Sequence, residues 1–395
     1  MGFKIGRVDN TSPNCYQELI GNGYSAGMDV GRDNFRMKHI LFIVDTFAKG
    51  GAGRVVSEIS SEMFKKGEHV IVCTFGDNGV LYPLASGMEH IDGSHIGKKL
   101  KPSFVEKIKF IRRIIKAKKI EIIISFLTPL NVVAILAGLF AGSKVIISER
   151  NNPEYDKCCV RDRMLRKLIY RYADGFVFQT EEIQNWFSSS IRQRACIIEN
   201  PINTLLPPPY FGVPCKKIVM AGRLNAQKNY PMAINAFAQI SAEFPDYQLE
   251  IFGAGHLEKD LQQMINEKAL TYRILLRGHS NCLFDEIKDA SLYLMTSDYE
   301  GMSNSLMEAM GMGLAVITTD HGGGGARSLI TDDVNGILVP VGDVGMLVEK
   351  MRIVLKDNEK RMTLAKNAFL IRNRFSIERI TEKWQDYLED VISRP

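Results

Sequence analysis

The chain has 395 residues, 45% hydrophobic and 24% charged, with 33 Gly and 14 Pro, which excludes a disordered protein, a fibrous repeat and a disulfide scaffold and leaves room for two or three domains. Its formal net charge of +5 is unevenly shared: residues 1–200 carry 29 Lys and Arg against 21 Asp and Glu, and residues 201–395 carry 21 against 24, which suggests two domains with different partners. No run reaches the ~18 apolar residues of a membrane span, and the seven cysteines, none in a CxxC pair and with no signal peptide ahead of them, read as free thiols in a reducing cytoplasm.

Residues 1–36 are rich in Gly and Asn and show no sustained periodicity. They read as a loosely ordered extension, or as the product of an upstream start with Met37 the natural beginning; the other reading is an ordered arm packed on the body. From Lys38 onward strand, turn and helix alternate. Candidate strands are 39–44, 69–75, 121–126, 144–148 and 175–180, short runs rich in Ile and Val as expected of strands buried on both faces. Helical stretches at 53–66 and 104–118 lie between them. Alternating β and α argues a parallel, doubly wound sheet with a crevice at the carboxyl ends of its strands.

Pro201, Pro207, Pro208 and Pro209 then interrupt the pattern, because proline can continue neither a helix nor a central strand. The alternation restarts at 217–221, 248–252, 273–276, 291–296, 315–318 and 336–339. The predicted architecture is α/β: a first domain over 37–205 and a second over 206–375, both Rossmann-like and facing a central cleft, and a final amphipathic helix over 376–395 free to pack back on the first domain.

The second domain holds the chemistry. Its first strand ends in Ala221-Gly222-Arg223-Leu224 and continues through Asn225 to Lys228. A glycine lets the chain turn at a strand end; the planar fork of Arg223 and the mobile point charge of Lys228 suit a diphosphate, although two solvated loop cations would look the same. The segment Asp298-Tyr299-Glu300-Gly301-Met302-Ser303-Asn304-Ser305 runs into a helix containing Glu308. Small polar residues at 303–305 leave helix N-terminal amides open to an anion. A carboxylate accepts hydrogen bonds from adjacent hydroxyls, so Glu300 and Glu308 can hold a sugar and a ribose diol; the bland reading is surface charge or capping.

These segments resemble the retaining GT-B glycosyltransferases of family 4. Glu300 and Glu308, with seven residues between them, resemble that family's EX7E motif, and 222–229 its diphosphate loop. Phe252-Gly253-Ala254-Gly255, the turn Gly278-His279, and Asn335 to Val339 with Gly342-Asp343 resemble its remaining signatures in the same order. The resemblance implies the GT-B fold over roughly 37–390. It implies Glu300 as the catalytic contact to the transferred sugar, and Gly222, Arg223, Lys228, Ser303, Asn304, Ser305, Glu308 and His279 as donor-binding residues. It also implies front-face attack with the leaving phosphate as base, and neither metal nor cofactor. In the first domain, Gly50-Gly51-Ala52-Gly53-Arg54 resembles a family loop in which Glu is common where Gly53 stands. Gly50, Gly51, Thr128 and Arg150 would line the acceptor and phosphate side, with Arg150 where many relatives place a sugar-contacting His. Gly322 to Gly325 would pass near the donor sugar or serve as a flexible connection, and Arg327 stands where relatives carry an acid.

The expected donor is a UDP-linked hexose or N-acetylhexosamine, and the expected acceptor a cell-surface polysaccharide or a glycan on a polyprenyl diphosphate. Residues 98–119 hold ten Lys or Arg and one acid, Glu106, with Phe104, Ile108, Ile111 and Ile115 at helical spacing. That helix packs its apolar stripe inward and can lay its basic face on anionic lipid, which implies a peripheral enzyme on the inner face of the cytoplasmic membrane. Arg161, Arg163, Arg166, Lys167 and Arg171 add a second basic stretch. No aromatic platform accompanies these charges, so nucleic acid is not an expected partner. The rival readings are a UDP-sugar 2-epimerase, a nucleotide-dependent oxidoreductase (although GxGxxG is missing) and a non-catalytic carbohydrate- or lipid-binding protein of the same fold.

Overall fold

A computed structural model of the chain describes residues 37–47, 50–76, 82–96, 102–150, 153–154 and 160–394, with the backbone alone for 160–163. The expected extension over 1–36 and the cysteines Cys15, Cys158 and Cys159 lie outside the described residues. Isoleucine and valine runs make the strands. They are β1 His39–Val44, β2 His69–Thr74, β3 Glu89–Asp92, β4 Ile122–Phe126, β5 Lys144–Ser148, β6 Gly175–Phe178 and β7 Ala195–Ile197. After the proline-rich stretch come β8 Cys215–Ala221, β9 Gln248–Phe252, β10 Ile274–Gly278, β11 Ala290–Met295, β12 Val316–Thr319 and β13 Ile337–Val339.

They form two sheets, ordered β3-β2-β1-β4-β5-β6-β7 and β10-β9-β8-β11-β12-β13, and every ladder is parallel. The two doubly wound domains expected from the alternation are present. Strands β4 and β11 are buried along their whole length because helices cover both faces. Two strands had no signal of their own: β3 reads Glu-His-Ile-Asp with alternating exposure, and β7 has three half-buried residues. Both are outer strands that borrow their pairing from β2 and β6.

The order in which successive strands are laid down reverses between β1 and β4 and between β8 and β11, the switch points where a ligand crevice opens at the carboxyl ends. The loop after β1 leads into helix Gly51–Lys65, with Gly50 at φ 90°. The turn after β4 puts Leu127 at φ 78° and ψ 137°, an uncommon conformation for a side-chain-bearing residue and one that clusters at functional sites.

The last helix, Ile377–Ser393, is started by Ser376, whose hydroxyl accepts from the Arg379 amide. Ile380, Trp384, Leu388 and Val391 recur on one buried face. That face lies against the first sheet: the Trp384 ring stacks on Phe126 at 6.1 Å. The Tyr387 hydroxyl accepts from the Phe176 amide at 2.8 Å and donates to the Arg194 carbonyl. Beside it, the Ile202 amide donates to the Phe375 carbonyl at 2.8 Å, so outgoing linker and returning chain run together. Trp384 has no exposed surface, and Trp384→Ala is expected to cost about 3–5 kcal/mol of stability through lost burial and cavity formation. Urea unfolding followed by circular dichroism checks this; a loss under ~1 kcal/mol would mean the helix is not anchored there.

Candidate active site in the cleft

The site grows from the carboxyl ends of β8 and β11. Lys228 lies in a single 3-10 turn, Ala226–Lys228, and Asn229 follows with φ 43°. The Asn229 side chain caps helix Tyr230–Ile240 and donates to Asp298 at 2.7 Å. The Thr296 hydroxyl donates to the Lys228 and Asn229 carbonyls. The two loops are thus stitched together, and Lys228 Nζ meets Glu300 Oε1 at 2.7 Å, each side chain 14% exposed. Ser297 donates to the same oxygen at 3.2 Å. Gly222 lies beneath, where a Cβ would come 2.9 Å from Lys228 Cε. Arg223 is exposed and its guanidinium has no partner among the described residues.

Helix Asn304–Gly311 starts without a side-chain cap at Ser303. The amides of Asn304, Ser305 and Leu306 have no acceptor among the described residues, so the positive end of the helix is open. Ser303 and Ser305 face each other at 3.2 Å between hydroxyl oxygens. Glu308 sits further along the same helix with its side chain 15% exposed. Its Oε1 accepts from Asn203 Nδ2 at 3.3 Å and lies 3.6 Å from Arg54 Nε. Burial pushes its carboxyl above the ordinary value, against the pull of Arg54. Buried Tyr293 donates to the Ala221 carbonyl at 3.3 Å; burial first, then the nearby charges of Glu308 and Glu300, keep the phenol protonated. His279 is exposed on an open groove along β10 beside Leu276, Arg277 and Ser280; the carbonyl of its neighbour Gly278 accepts from the Gly253 amide at 2.7 Å, and Gly253 packs on Gly222.

The first domain supplies the opposite wall. Gly51 presses on Asn304: a Cβ there would lie 2.3 Å from Asn304 Nδ2. Thr128, expected on the cleft lining, is instead buried and donates to Glu149 at 3.2 Å. Asn131 donates to the same carboxylate at 3.2 Å, and Tyr170 donates to it as well. Thr128 therefore supports the wall from behind. Arg150, expected on the acceptor and phosphate side, is 8% exposed with Nη1 donating to Asn200 Oδ1 at 2.8 Å. Its guanidinium sits 4.6 Å above the Phe126 ring, and Nε and Nη2 have no hydrogen-bond partner among the described residues. Burial lowers it to about 9. Asn200 in turn donates to Asn304 Oδ1 at 2.8 Å, so Arg150, Asn200, Asn304 and Gly51 form one chain of contacts across the cleft.

Three features escaped the reading of the sequence. Arg54, 4% exposed, donates to Glu58 at 2.6 Å and to the Pro201 carbonyl at 3.2 Å besides facing Glu308. Burial raises Glu58 to about 7, outweighing the attraction of Arg54. His321, just past β12, is buried, and its Nε2 has no hydrogen-bond partner among the described residues; burial lowers its pKa, and it lies within the fields of Glu300 and Lys228. The glycine run proves to be a clasp: Thr180 donates to the Gly323 carbonyl at 2.7 Å and the Gly323 amide donates to Glu182 at 2.6 Å. Arg327 turns away and forks onto Asp320 at 2.5 and 2.7 Å, exposed to solvent.

Comparison with known proteins agrees with this geometry. The family model described as glycosyl transferases group 1 matches residues 213–370, and the one described as glycosyltransferase family 4 matches residues 49–205. The poly(glycerol-phosphate) alpha-glucosyltransferase of Bacillus subtilis is 30% identical over 223 residues, 55% of this chain and 33% of that protein. The GalNAc-alpha-(1->4)-GalNAc-alpha-(1->3)-diNAcBac-PP-undecaprenol alpha-1,4-N-acetyl-D-galactosaminyltransferase of Campylobacter jejuni is 26% identical over 364 residues, 90% of this chain and 99% of that one. The crystal structure of Anabaena HepE in complex with UDP and glucose superposes with a TM-score of 0.75 at 20% identity, covering 90% of this chain and 100% of the other, a likeness of fold. Two family models that between them cover β2 to β13, and a cleft built from the strand ends of both sheets, show that the chain belongs to the family 4 glycosyltransferases of GT-B fold.

Proposed function

We propose that the protein is a retaining glycosyltransferase that moves a hexose or N-acetylhexosamine from a UDP-linked donor to a lipid-linked or cell-surface glycan. The observation that carries this reading is the Lys228–Glu300 pair at the β8/β11 switch point, with Glu308 and the open amides of Asn304, Ser305 and Leu306 on the helix that follows. A lysine and a carboxylate held together at 2.7 Å in a nearly closed site are ready to exchange partners. A diphosphate competes for Lys228, and Glu300 is released toward the sugar hydroxyls. Arg223, unpartnered at the rim, adds the second cation. The lysine, the arginine and the helix N-terminus together take the diphosphate charge, so the reading calls for no metal ion or cofactor.

In the reaction, the bond from the anomeric carbon to the diphosphate oxygen breaks and a bond to the acceptor oxygen forms on the same face. The acceptor proton passes to the departing phosphate oxygen. The two walls exclude water, which limits hydrolysis of the donor. HepE was crystallised with UDP and glucose, and the Campylobacter relative is named for a diphospho-undecaprenol acceptor; both support the choice of donor and carrier.

Among the described residues no helix is long and apolar enough to cross a membrane. We place the enzyme peripherally, on the inner face of the cytoplasmic membrane. On helix Phe104–Lys118 and just after it, Lys109, Arg113, Lys116 and Lys119 are exposed. Arg112 instead folds back to the Leu136 and Ala137 carbonyls, Lys118 pairs with Glu89, and Lys107 lies over Phe75. The basic face is therefore narrower than its composition suggests. Helix Val160–Ile169 and the turn after it add Met164, Leu168 and Tyr172 as exposed apolar groups beside Lys167 and Arg171, a combination suited to an anionic lipid surface.

Two outcomes follow. Arg223→Ala and Glu308→Ala are each expected to lower kcat/KM for sugar transfer by about 10- to 100-fold, the size of a lost hydrogen bond to a charged group. A radiolabelled UDP-sugar assay with a polyprenyl-diphosphate glycan reads this. Normal transfer by both variants, or epimerised donor formed without acceptor, overturns the assignment. In vesicle co-sedimentation, the pair Lys109→Gln with Arg113→Gln is expected to weaken binding to phosphatidylglycerol-containing vesicles by roughly tenfold or more, from ~1 kcal/mol per basic residue near the surface. Equal binding of the variant, or no preference for anionic over neutral vesicles, removes the membrane reading.

A further inference from the structure

We infer that Arg54 and Asn203 are positioning residues that aim Glu308 at the nucleotide ribose, so that the first domain and the linker complete a contact made from the second. The inference rests on the reading of Glu308 as the ribose carboxylate. Three observations carry it. First, both groups engage the same oxygen: Asn203 Nδ2 donates to Oε1 at 3.3 Å and Arg54 Nε faces Oε1 at 3.6 Å. Oε2 has no partner among the described residues, although the side chain keeps 15% exposure. One oxygen is anchored and the other presented.

Second, the anchors are themselves fixed. Arg54 donates to Glu58 Oε2 at 2.6 Å and to the Pro201 carbonyl at 3.2 Å, and only 4% of it is exposed. Asn203 Oδ1 accepts from the Leu205 amide at 2.9 Å, which turns its NH2 toward Glu308. Third, the elements differ: Arg54 is on helix Gly51–Lys65, Asn203 on the linker and Glu308 on helix Asn304–Gly311. The carboxylate has its present aim only while these three pieces are together. A vicinal diol is a two-donor ligand that a presented carboxylate oxygen can accept from; a carboxylate swinging freely would lose rotamer freedom to do the same. A planar guanidinium suits the task, because its Nε, Nη1 and Nη2 reach three partners from three separated points in one plane, whereas an ammonium donates from a single nitrogen.

The test is nucleotide discrimination, measured by calorimetry on the full chain with UDP and with 2′,3′-dideoxy-UDP, which lacks the diol. Glu308→Gln is expected to collapse the wild-type preference for UDP. Arg54→Lys and Asn203→Ala are each expected to shrink that preference about tenfold, the scale of one hydrogen bond to a charged group, while changing affinity for the dideoxy nucleotide less than about twofold. Thermal melts of both variants verify folding, and Asn203→Ala, on a half-exposed linker residue, stands in if Arg54→Lys does not fold. If Glu308→Gln leaves the preference intact, the ribose reading fails. If Glu308→Gln collapses it but the other two variants keep it, or lose affinity equally for both nucleotides, the positioning inference alone is overturned.

Discussion

Two backbones meet without side chains between them at the centre of this molecule. A Cβ on Gly325 would lie 1.9 Å from the Gly301 carbonyl oxygen, and one on Gly301 would lie 2.6 Å from both the Arg150 carbonyl and the Gln179 side chain. The glutamate-bearing loop is therefore gripped from both sides, by the glycine run of its own domain and by the β5 and β6 strand ends of the other. The Met302 amide donates to Gln179 at 3.2 Å and continues that seam. Glycine is required here for proximity: any Cβ would wedge the seam open and move Glu300 with it.

Such a close seam leaves little room for water, and the charges along it behave accordingly. Lys228 with Glu300, Arg54 with Glu58 and Glu308, and Arg150 with Asn200 are all largely buried. A buried ion pair adds little net stability over an apolar pair of the same shape, yet breaking it by removing one partner is costly. Arrangements of this kind are better explained by exchange than by stability. A ligand that brings its own anion can take over the lysine, and one that brings hydroxyls can take over a carboxylate. The exposed Arg327–Asp320 pair on the outside has no such consequence, because solvent screens it.

Which parts were legible in the sequence follows from the same geometry. Central strands announce themselves, since burial on two faces demands unbroken Ile and Val runs. β3 and β7 do not, because an outer strand needs only a neighbour to pair with. Gly222, Arg223, Glu300 and the 303–305 segment were legible because doubly wound sheets put ligand loops at strand ends. The long-range contacts around the site were not. Arg54 with Pro201 and Thr180 with Gly323 are separated by 147 and 143 positions, and no local pattern encodes such a meeting. Thr128 and Arg150 show the converse. Both stand at strand ends, where a site residue belongs, but the first domain ties Thr128 to Glu149 and Arg150 to Asn200. His321 stood unremarked beside a run of glycines although it follows the carboxyl end of β12, as Glu300 follows that of the neighbouring β11.

The two halves consequently divide their labour by how their polar groups are used. In the second domain the strand-end cations and amides remain open or exchangeable. In the first, the strand-end residues Thr128, Glu149 and Arg150 make internal contacts, and among the described residues Lys109, Arg113, Lys116, Lys167 and Arg171 are exposed on or just after the outer helices. Among the described residues, that outer surface carries part of the surplus of basic residues in the first 200 positions. On the proposed reading this is the order a lipid-carried acceptor requires. Long-range attraction belongs where the anionic surface is met, while short, buried pairs that discriminate by geometry belong where the nucleotide sugar is held.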